Sequence, residues 1–354
     1  MEVPENAENP LYTKITVTAI RQEAPGVKTF EFGGEDAKNI PYKPGQYLTF
    51  AHRVHDEEVR RSYSITSSPA LHEPLTIGVK RIDNGFFSRL LVDDTKVGDQ
   101  LYTIGATGLF TLPDDLASYK QVFLLAAGSG ITPIYSLLKT LLYAHPELNV
   151  VLIYSNNNPQ KAIFRKQLEQ LAQEFPQQLT VEFLYSVSPD LARARLYKDL
   201  LQQLLRQYAA APYAEILFYL CGPTTYMRMC FYALRQAGVP NDNIRRESFS
   251  SVKVKVPLLP PDTEEHRVVL HLKSREYRLQ VQYPKTILQA AREAGVPLPY
   301  SCEAGRCGSC AARCTRGQVW MSYNEVLTEK DLAQGLTLSC VGYPVGGEVV
   351  LEVM

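Results

Sequence analysis

Residues 1–112 carry short runs in which β-branched and aromatic side chains alternate with polar ones: YTKITVTAIRQE, KTFEFG, QYLTFAH and LTIGVKRI, parted by Gly, Pro and Asp. A period of two broken by turn residues predicts antiparallel strands, in a barrel or a sandwich. At Val122 the pattern changes. Val122–Ala127 is continuously apolar, a glycine turn follows, and Pro133–Tyr143 has helical periodicity. NVVLIYSN, the helix-patterned KAIFRKQLEQLAQEF, LTVEFLYSV, a further helical stretch and EILFYLCGP come next. Apolar strands alternating with helices indicate βαβ units around a parallel sheet buried on both faces. After Phe249, SSVKVKVPLLPPDTEEH is rich in proline and acid and reads as a linker. Short strands then return (RVVLHLK, EYRLQVQ), with a short helix near Thr286–Ala294 and a glycine-rich cysteine loop. The expected order is an antiparallel β-barrel (1–112), an α/β parallel-sheet domain (113–250), a linker (251–262) and a small α+β domain (263–354).

Composition narrows the classes. Lys plus Arg equals Asp plus Glu at 37 each, so neither a nucleic-acid binder nor a polybasic membrane surface is indicated. The start, MEVPENAENP, has no basic and apolar leader pattern, and no apolar run nears the ~20 residues of a membrane-spanning helix. The expectation is a soluble, cytoplasmic protein.

The seven cysteines are distributed unevenly, four of them between Cys302 and Cys314. Within SCEAGRCGSC, the spacing of Cys302, Cys307 and Cys310 is C-x4-C-x2-C, and Cys340 follows at a distance. That is the plant-type 2Fe–2S spacing. Small residues (Ala304, Gly305, Gly308, Ser309) let the backbone fold close around inorganic sulfide and turn its amides toward the sulfurs. The rival is a structural zinc site. Zinc sites favour two short C-x2-C pairs, and this chain has only one. Cys230 and Cys314 match no ligand position and read as small packed residues.

Two glycine turns suit a nucleotide. LLAAGSGITP places Gly128 and Gly130 between a buried strand and a helix opening near Thr132 or Pro133, where backbone amides and the helix dipole favour a pyrophosphate. The same pattern also serves as an ordinary tight connection, and it departs from G-x-G-x-x-G at Pro133. Cys221, Gly222 and Pro223 end a second apolar strand. Ligands in open α/β sheets bind at such carboxyl ends, although Cys221 also reads as a simple buried thiol. In the barrel region, RRSYS offers Arg61, Tyr63 and Ser64, and NGFFS offers Gly85 and Ser88. An arginine suits a diphosphate and a tyrosine face suits a flavin ring. A strand arginine and an N-cap serine read equally well.

RSYS, GFFS, AAGSGITP and CGP, in that order, resemble the ferredoxin–NADP reductase superfamily, and CEAGRCGSC with distal Cys340 resembles plant-type ferredoxins of the β-grasp fold. The fused order is similar to the reductase subunits of multicomponent oxygenases. Within that group, RRESF and ILQAAREAGVPLPYSCEAGRCGSC are most similar to the phenylacetyl-CoA epoxidase type. The resemblance implies that Arg61, Tyr63 and Ser64 hold FAD, with Ser64 near the atom that accepts hydride, and that Gly85 and Ser88 bind its pyrophosphate. It implies that Gly128, Gly130, Thr132 and Pro133 bind the nicotinamide nucleotide, with Cys221, Gly222 and Pro223 beside its reactive ring. Glu247 and Phe249 would cover the flavin. Cys302, Cys307, Cys310 and Cys340 would hold the cluster.

The implied activity is transfer of electrons from NAD(P)H through FAD and 2Fe–2S to an oxygenase component, a di-iron epoxidase-type oxygenase foremost. A Rieske oxygenase, a desaturase or a hybrid-cluster protein are other acceptors, and a redox-sensing carrier without turnover is the reading from a different class. Relatives preferring NADPH often carry arginine where this chain has Ser155-Asn156-Asn157. No carboxylate stands there to grip a free ribose, which favours NADPH over NADH. Arg165, Arg193 or Arg195 could meet a 2′-phosphate.

Overall fold

The computed structural model describes residues 11–54, 57–250 and 259–353, so residues 251–258 of the expected linker lie outside it. The first sheet is built from β1 (Thr13–Ala24), β2 (Val27–Gly33), β3 (Tyr47–Val54), β4 (Glu57–Ser64), β5 (Thr76–Lys80) and β6 (Gln100–Thr107), in the order β4-β3-β6-β1-β2-β5. Its named pairings are all antiparallel. The two edges meet. Directly after β4, Ile65 bridges Ile77 of β5, and the Thr66 amide donates to the Thr76 carbonyl at 2.8 Å. Of the two architectures left open by the pattern, the closed barrel is the one formed, and closure removes the free edges a sheet would expose. Phe30, Phe50, Ile65 and Ile77 fill its interior. Two short helices, α1 (Glu35–Lys38) and α2 (Phe86–Arg89), decorate it.

The second sheet is parallel throughout: β7 (Gln121–Ala127), β8 (Asn149–Asn156), β9 (Leu179–Tyr185), β10 (Ile216–Cys221) and β11 (Ile244–Glu247), ordered β11-β10-β7-β8-β9. Strands β7 and β10 are buried at every position. Their unbroken apolar runs follow from helices on both faces: α3 (Ile131–Ala144) and α4 (Arg165–Glu174) on one, α5 (Lys198–Tyr208) and α6 (Thr224–Gln236) on the other. The strand order reverses between β7 and β10, and such a switch point opens a crevice at the carboxyl ends of the strands. Barrel and parallel sheet fall in one compact unit, Met1–Ser248.

The second unit, Phe249–Met354, holds a mixed sheet of β12 (His266–Leu272), β13 (Arg275–Val281), β14 (Ala311–Met321), β15 (Leu336–Leu338) and β16 (Gly342–Val353), ordered β13-β12-β16-β14-β15. Only β12 and β16 run parallel among these pairs. Helix α7 (Ile287–Glu293) opens with a capping box, the Thr286 side chain accepting from the Gln289 amide while Gln289 reaches back to the Thr286 amide. A last short helix, α8 (Glu329–Ala333), precedes β15. No helix among the described residues is long and apolar enough to cross a membrane.

Candidate functional site

The two glycine turns expected to face a nucleotide end β7 and β10, the strands flanking the switch point, with Cys221 in register beside Ala126. Gly128 has φ 55°, and Gly130 leaves no room for a side chain, because a Cβ there would collide with the Cys221 carbonyl. Both glycines are therefore structural necessities that also bare the backbone. Gly128–Gly130 form a single tight turn leading directly into α3 at Ile131, with Pro133 in the first helical turn. The Thr132 hydroxyl donates to the Ser129 carbonyl at 2.9 Å, which closes the turn from within. The opening amides of this long helix have no partner inside it. Gly222 packs on Ala127, and Pro223 is exposed before α6.

Pattern reading missed the phenol beneath this turn. Tyr154, fully buried on β8, donates to the Gly128 carbonyl at 3.0 Å and accepts from the Ile163 amide at 3.1 Å. At the next strand ends Asn156 stands beside Tyr185, whose hydroxyl is buried without a hydrogen-bond partner. Burial raises the Tyr185 phenol, and the neighbouring Arg165 guanidinium opposes that rise. An unspent hydroxyl beside an arginine fits a nucleotide's ribose and phosphate. Of the three expected arginines, Arg165 is ion-paired with Glu169 at 2.7 Å, Arg193 pairs with Glu182 and Arg195 is exposed.

Barrel and parallel sheet converge on three side chains. Ser64, buried at the end of β4, donates to the Glu247 carboxylate at 3.4 Å, and Glu247 is in register beside Cys221. Burial pushes the Cys221 thiol well above its ordinary range, and the Glu247 charge adds to the rise, so the thiol stays protonated. Tyr63 lies half-buried against Phe50 and Phe87, with its phenol raised by burial. Arg61 is exposed, donating to the Arg60 carbonyl at 2.7 Å. Ser88 is not the N-cap. That place is held by Gly85, and the Ser88 hydroxyl accepts from the Ile82 amide at 3.1 Å and donates to the Gly85 carbonyl at 3.0 Å. Ser88 thus fixes the shape of the loop. Phe249 is exposed and belongs to the second unit.

In that second unit the thiols of Cys302 and Cys307 interact, as do those of Cys310 and Cys340, with Cys302 close enough to Cys340 for their charges to interact. Cys307 is pulled below the usual thiol range by the Cys302 thiol, which is itself raised. Among the described residues no three His, Cys, Asp or Glu side chains gather as ligands of a single ion. Thiols arranged two and two fit a binuclear cluster, with one pair for each iron. The Ala304 amide points at Cys302 Sγ at 3.4 Å, and Gly305 and Gly308 take φ 69° and 77° to curl the loop. Cys230 is buried in the parallel-sheet core with its thiol pushed up to about 12, chiefly by burial.

Family models match each region: "Oxidoreductase FAD-binding domain" over residues 14–112, "Oxidoreductase NAD-binding domain" over 124–231 and "2Fe-2S iron-sulfur cluster binding domain" over 270–345. A closed flavin barrel, a parallel nucleotide-binding sheet and a paired-cysteine loop together define a nicotinamide-dependent flavin and iron–sulfur oxidoreductase. Phthalate dioxygenase reductase has the same fold, with a TM-score of 0.60 at 23% identity over 98% of this chain and 99% of that one. The ferredoxin reductase component of 3-ketosteroid-9-alpha-monooxygenase from Mycolicibacterium smegmatis is 34% identical, covering 88% of this chain and 87% of its own. A component of the 1,2-phenylacetyl-CoA epoxidase from Escherichia coli is 30% identical, covering 96% and 97%. The chain belongs to this family of oxygenase reductase components. The likeness to the phenylacetyl-CoA type is present, and the steroid monooxygenase reductase is the more similar of the two.

Proposed function

We propose that NAD(P)H binds over the Gly128–Gly130 and Cys221–Pro223 turns, that FAD lies along Arg61–Ser64 and the Gly85–Ser88 loop, and that Cys302, Cys307, Cys310 and Cys340 hold the cluster. Bound there, FAD would supply two-electron hydride acceptance and the cluster one-electron transfer. The convergence of Ser64, Cys221 and Glu247 at the switch point carries this reading. Ser64 orients the carboxylate, Glu247 gives the buried site its one negative charge among these three, and Cys221 presents a neutral thiol to the reacting ring.

The acceptor is an oxygenase component, and a di-iron epoxidase-type oxygenase is our specific reading, supported by the likeness to the phenylacetyl-CoA epoxidase component. The 34% identity to a steroid monooxygenase reductase supports a monooxygenase of another class as the second reading. The donor is NADPH, supported by Arg165 beside the unpaired Tyr185 hydroxyl and the absence of a carboxylate at Ser155–Asn157. Anaerobic titration with each nucleotide, followed by reoxidation with purified oxygenase components of both kinds, tests all three statements. Joint bleaching of flavin and cluster, preference for NADPH and reoxidation by the di-iron component are expected. Flavin bleaching without a cluster signal would overturn the relay.

A further inference from the structure

The seam between barrel and parallel sheet also contains a charge pair outside the residues assigned above to nucleotide and flavin. Lys139, on α3, has a side chain only 7% exposed and is ion-paired with Glu73 of the loop joining β4 to β5. The Glu73 carboxylate also accepts from the Ser68 amide at 2.7 Å. Lys139 lies 4.6 Å from the Tyr135 ring centroid, and Tyr135 stacks on Phe164 at 4.3 Å. Burial lowers the Lys139 ammonium below its ordinary range, against the pull of Glu73.

Two further bonds cross beside the pair. Ser68 and Thr140 hydroxyls meet at 2.6 Å, and the Ser136 hydroxyl donates to the Ser67 carbonyl at 2.6 Å. At the head of the same helix the Thr132 side chain packs so closely on β5 that a Cβ on Gly78 would strike it and the Thr66 side chain. The loop on one side of this seam begins directly after Ser64. The helix on the other side begins directly after the Gly128–Gly130 turn. Whatever holds seam and helix in register therefore holds the two binding surfaces in register.

Lys139 is buried while Glu73 stays partly exposed, and a pair that desolvates a charge in this way seldom repays the cost in stability, so a gain in stability is a poor reason for its presence. Its directional value is greater: the pair accepts one register of α3 on the loop and penalises others with an unpaired buried charge. We infer that Lys139 and Glu73 are positioning residues that set the distance and angle between nicotinamide and flavin. The inference rests on the proposed placement of the two cofactors.

The test uses full-length protein with FAD bound and compares wild type, Lys139→Met and the double variant Glu73→Gln/Lys139→Met, in which the introduced side-chain carbonyl still accepts from the Ser68 amide. The double variant leaves no unpaired charge and decides the matter where the single variant does not fold. The expected result is wild-type flavin occupancy, a nucleotide KM within about threefold of wild type, and anaerobic flavin bleaching at saturating nucleotide slowed about 10- to 100-fold, the penalty of a reacting pair misplaced by up to an ångström. The long-wavelength flavin–nicotinamide charge-transfer absorbance should weaken in parallel. Wild-type bleaching and an unchanged charge-transfer band in the double variant would overturn the inference, as would an effect confined to KM. Failure of both nucleotides to bleach the wild-type flavin would instead overturn the proposed function.

Discussion

Ser64 and Glu247, 183 positions apart in the chain, meet at 3.4 Å where the last residue of a barrel strand faces the last residue of the parallel sheet's edge strand. The contact joins the ends of two sheets of different construction, and the Cys221 thiol stands beside it in register. Ser64→Ala removes the hydroxyl without opening a large cavity. The expected outcome is a flavin-bleaching rate, per bound FAD, lowered about 10²-fold, the lower end of what one preorganised hydrogen-bond donor contributes. Glu247→Gln should do the same, and stopped-flow bleaching under anaerobic conditions checks both.

Gly130→Ala puts a methyl group against the Cys221 carbonyl at the buried end of the turn. Overpacking of this kind costs about 1–3 kcal/mol. The expected result is a melting temperature lower by a few degrees and a raised nucleotide KM, with FAD retained on the barrel. Thermal denaturation followed by flavin fluorescence, together with steady-state kinetics, measures it.

Cysteine substitutions should divide cleanly. Cys302→Ala breaks one thiol pair and is expected to abolish the cluster's visible absorbance and electron delivery while leaving flavin reduction intact. Cys314, half-buried, points its thiol at the Arg316 and Gly317 carbonyls, so Cys314→Ser should leave iron and sulfide content unchanged. Iron analysis and low-temperature EPR of the reduced protein distinguish the two.

Asp262, the last residue of the expected linker, accepts from the Gly346 amide at 2.8 Å and from the Glu264 amide at 2.9 Å, and it contacts His266 Nε2 at 2.6 Å. The Gly346 amide is the leading cause of a carboxyl pKa below its ordinary value. A depressed folded pKa gives stability that is fully present above the unfolded value, about 3.9, and is lost as pH falls through the folded value. Wild type should therefore melt higher than Asp262→Asn at pH 7, and the difference should close below about pH 4. Melting curves over that range supply the check.

Much of this molecule was legible in the order of its residues. Unbroken apolar runs such as Val122–Ala127 need a sheet covered on both faces, and the runs matched strands to within a residue or two. The cysteine spacing singled out Cys302, Cys307, Cys310 and Cys340 because a short loop must supply three thiolates to one small cluster. Local chemistry of this kind is written in neighbouring positions. Strand β4 was harder to read, since its charged sequence EEVRRSYS hides a period of two.

Tertiary structure decided what joins distant positions. Pattern alone left barrel and sandwich open, and closure turned on one bridge, Ile65 to Ile77. Tyr154 lies in the apolar run NVVLIYSN, and only the fold gives its hydroxyl the Gly128 carbonyl and the Ile163 amide as partners. Lys139, inside the helical stretch Pro133–Tyr143, is buried because the Glu73 loop lies over it. The physical reason is common to all three. A side chain's own periodicity records which way it points, whereas its partner is chosen by which strands and loops the chain brings alongside.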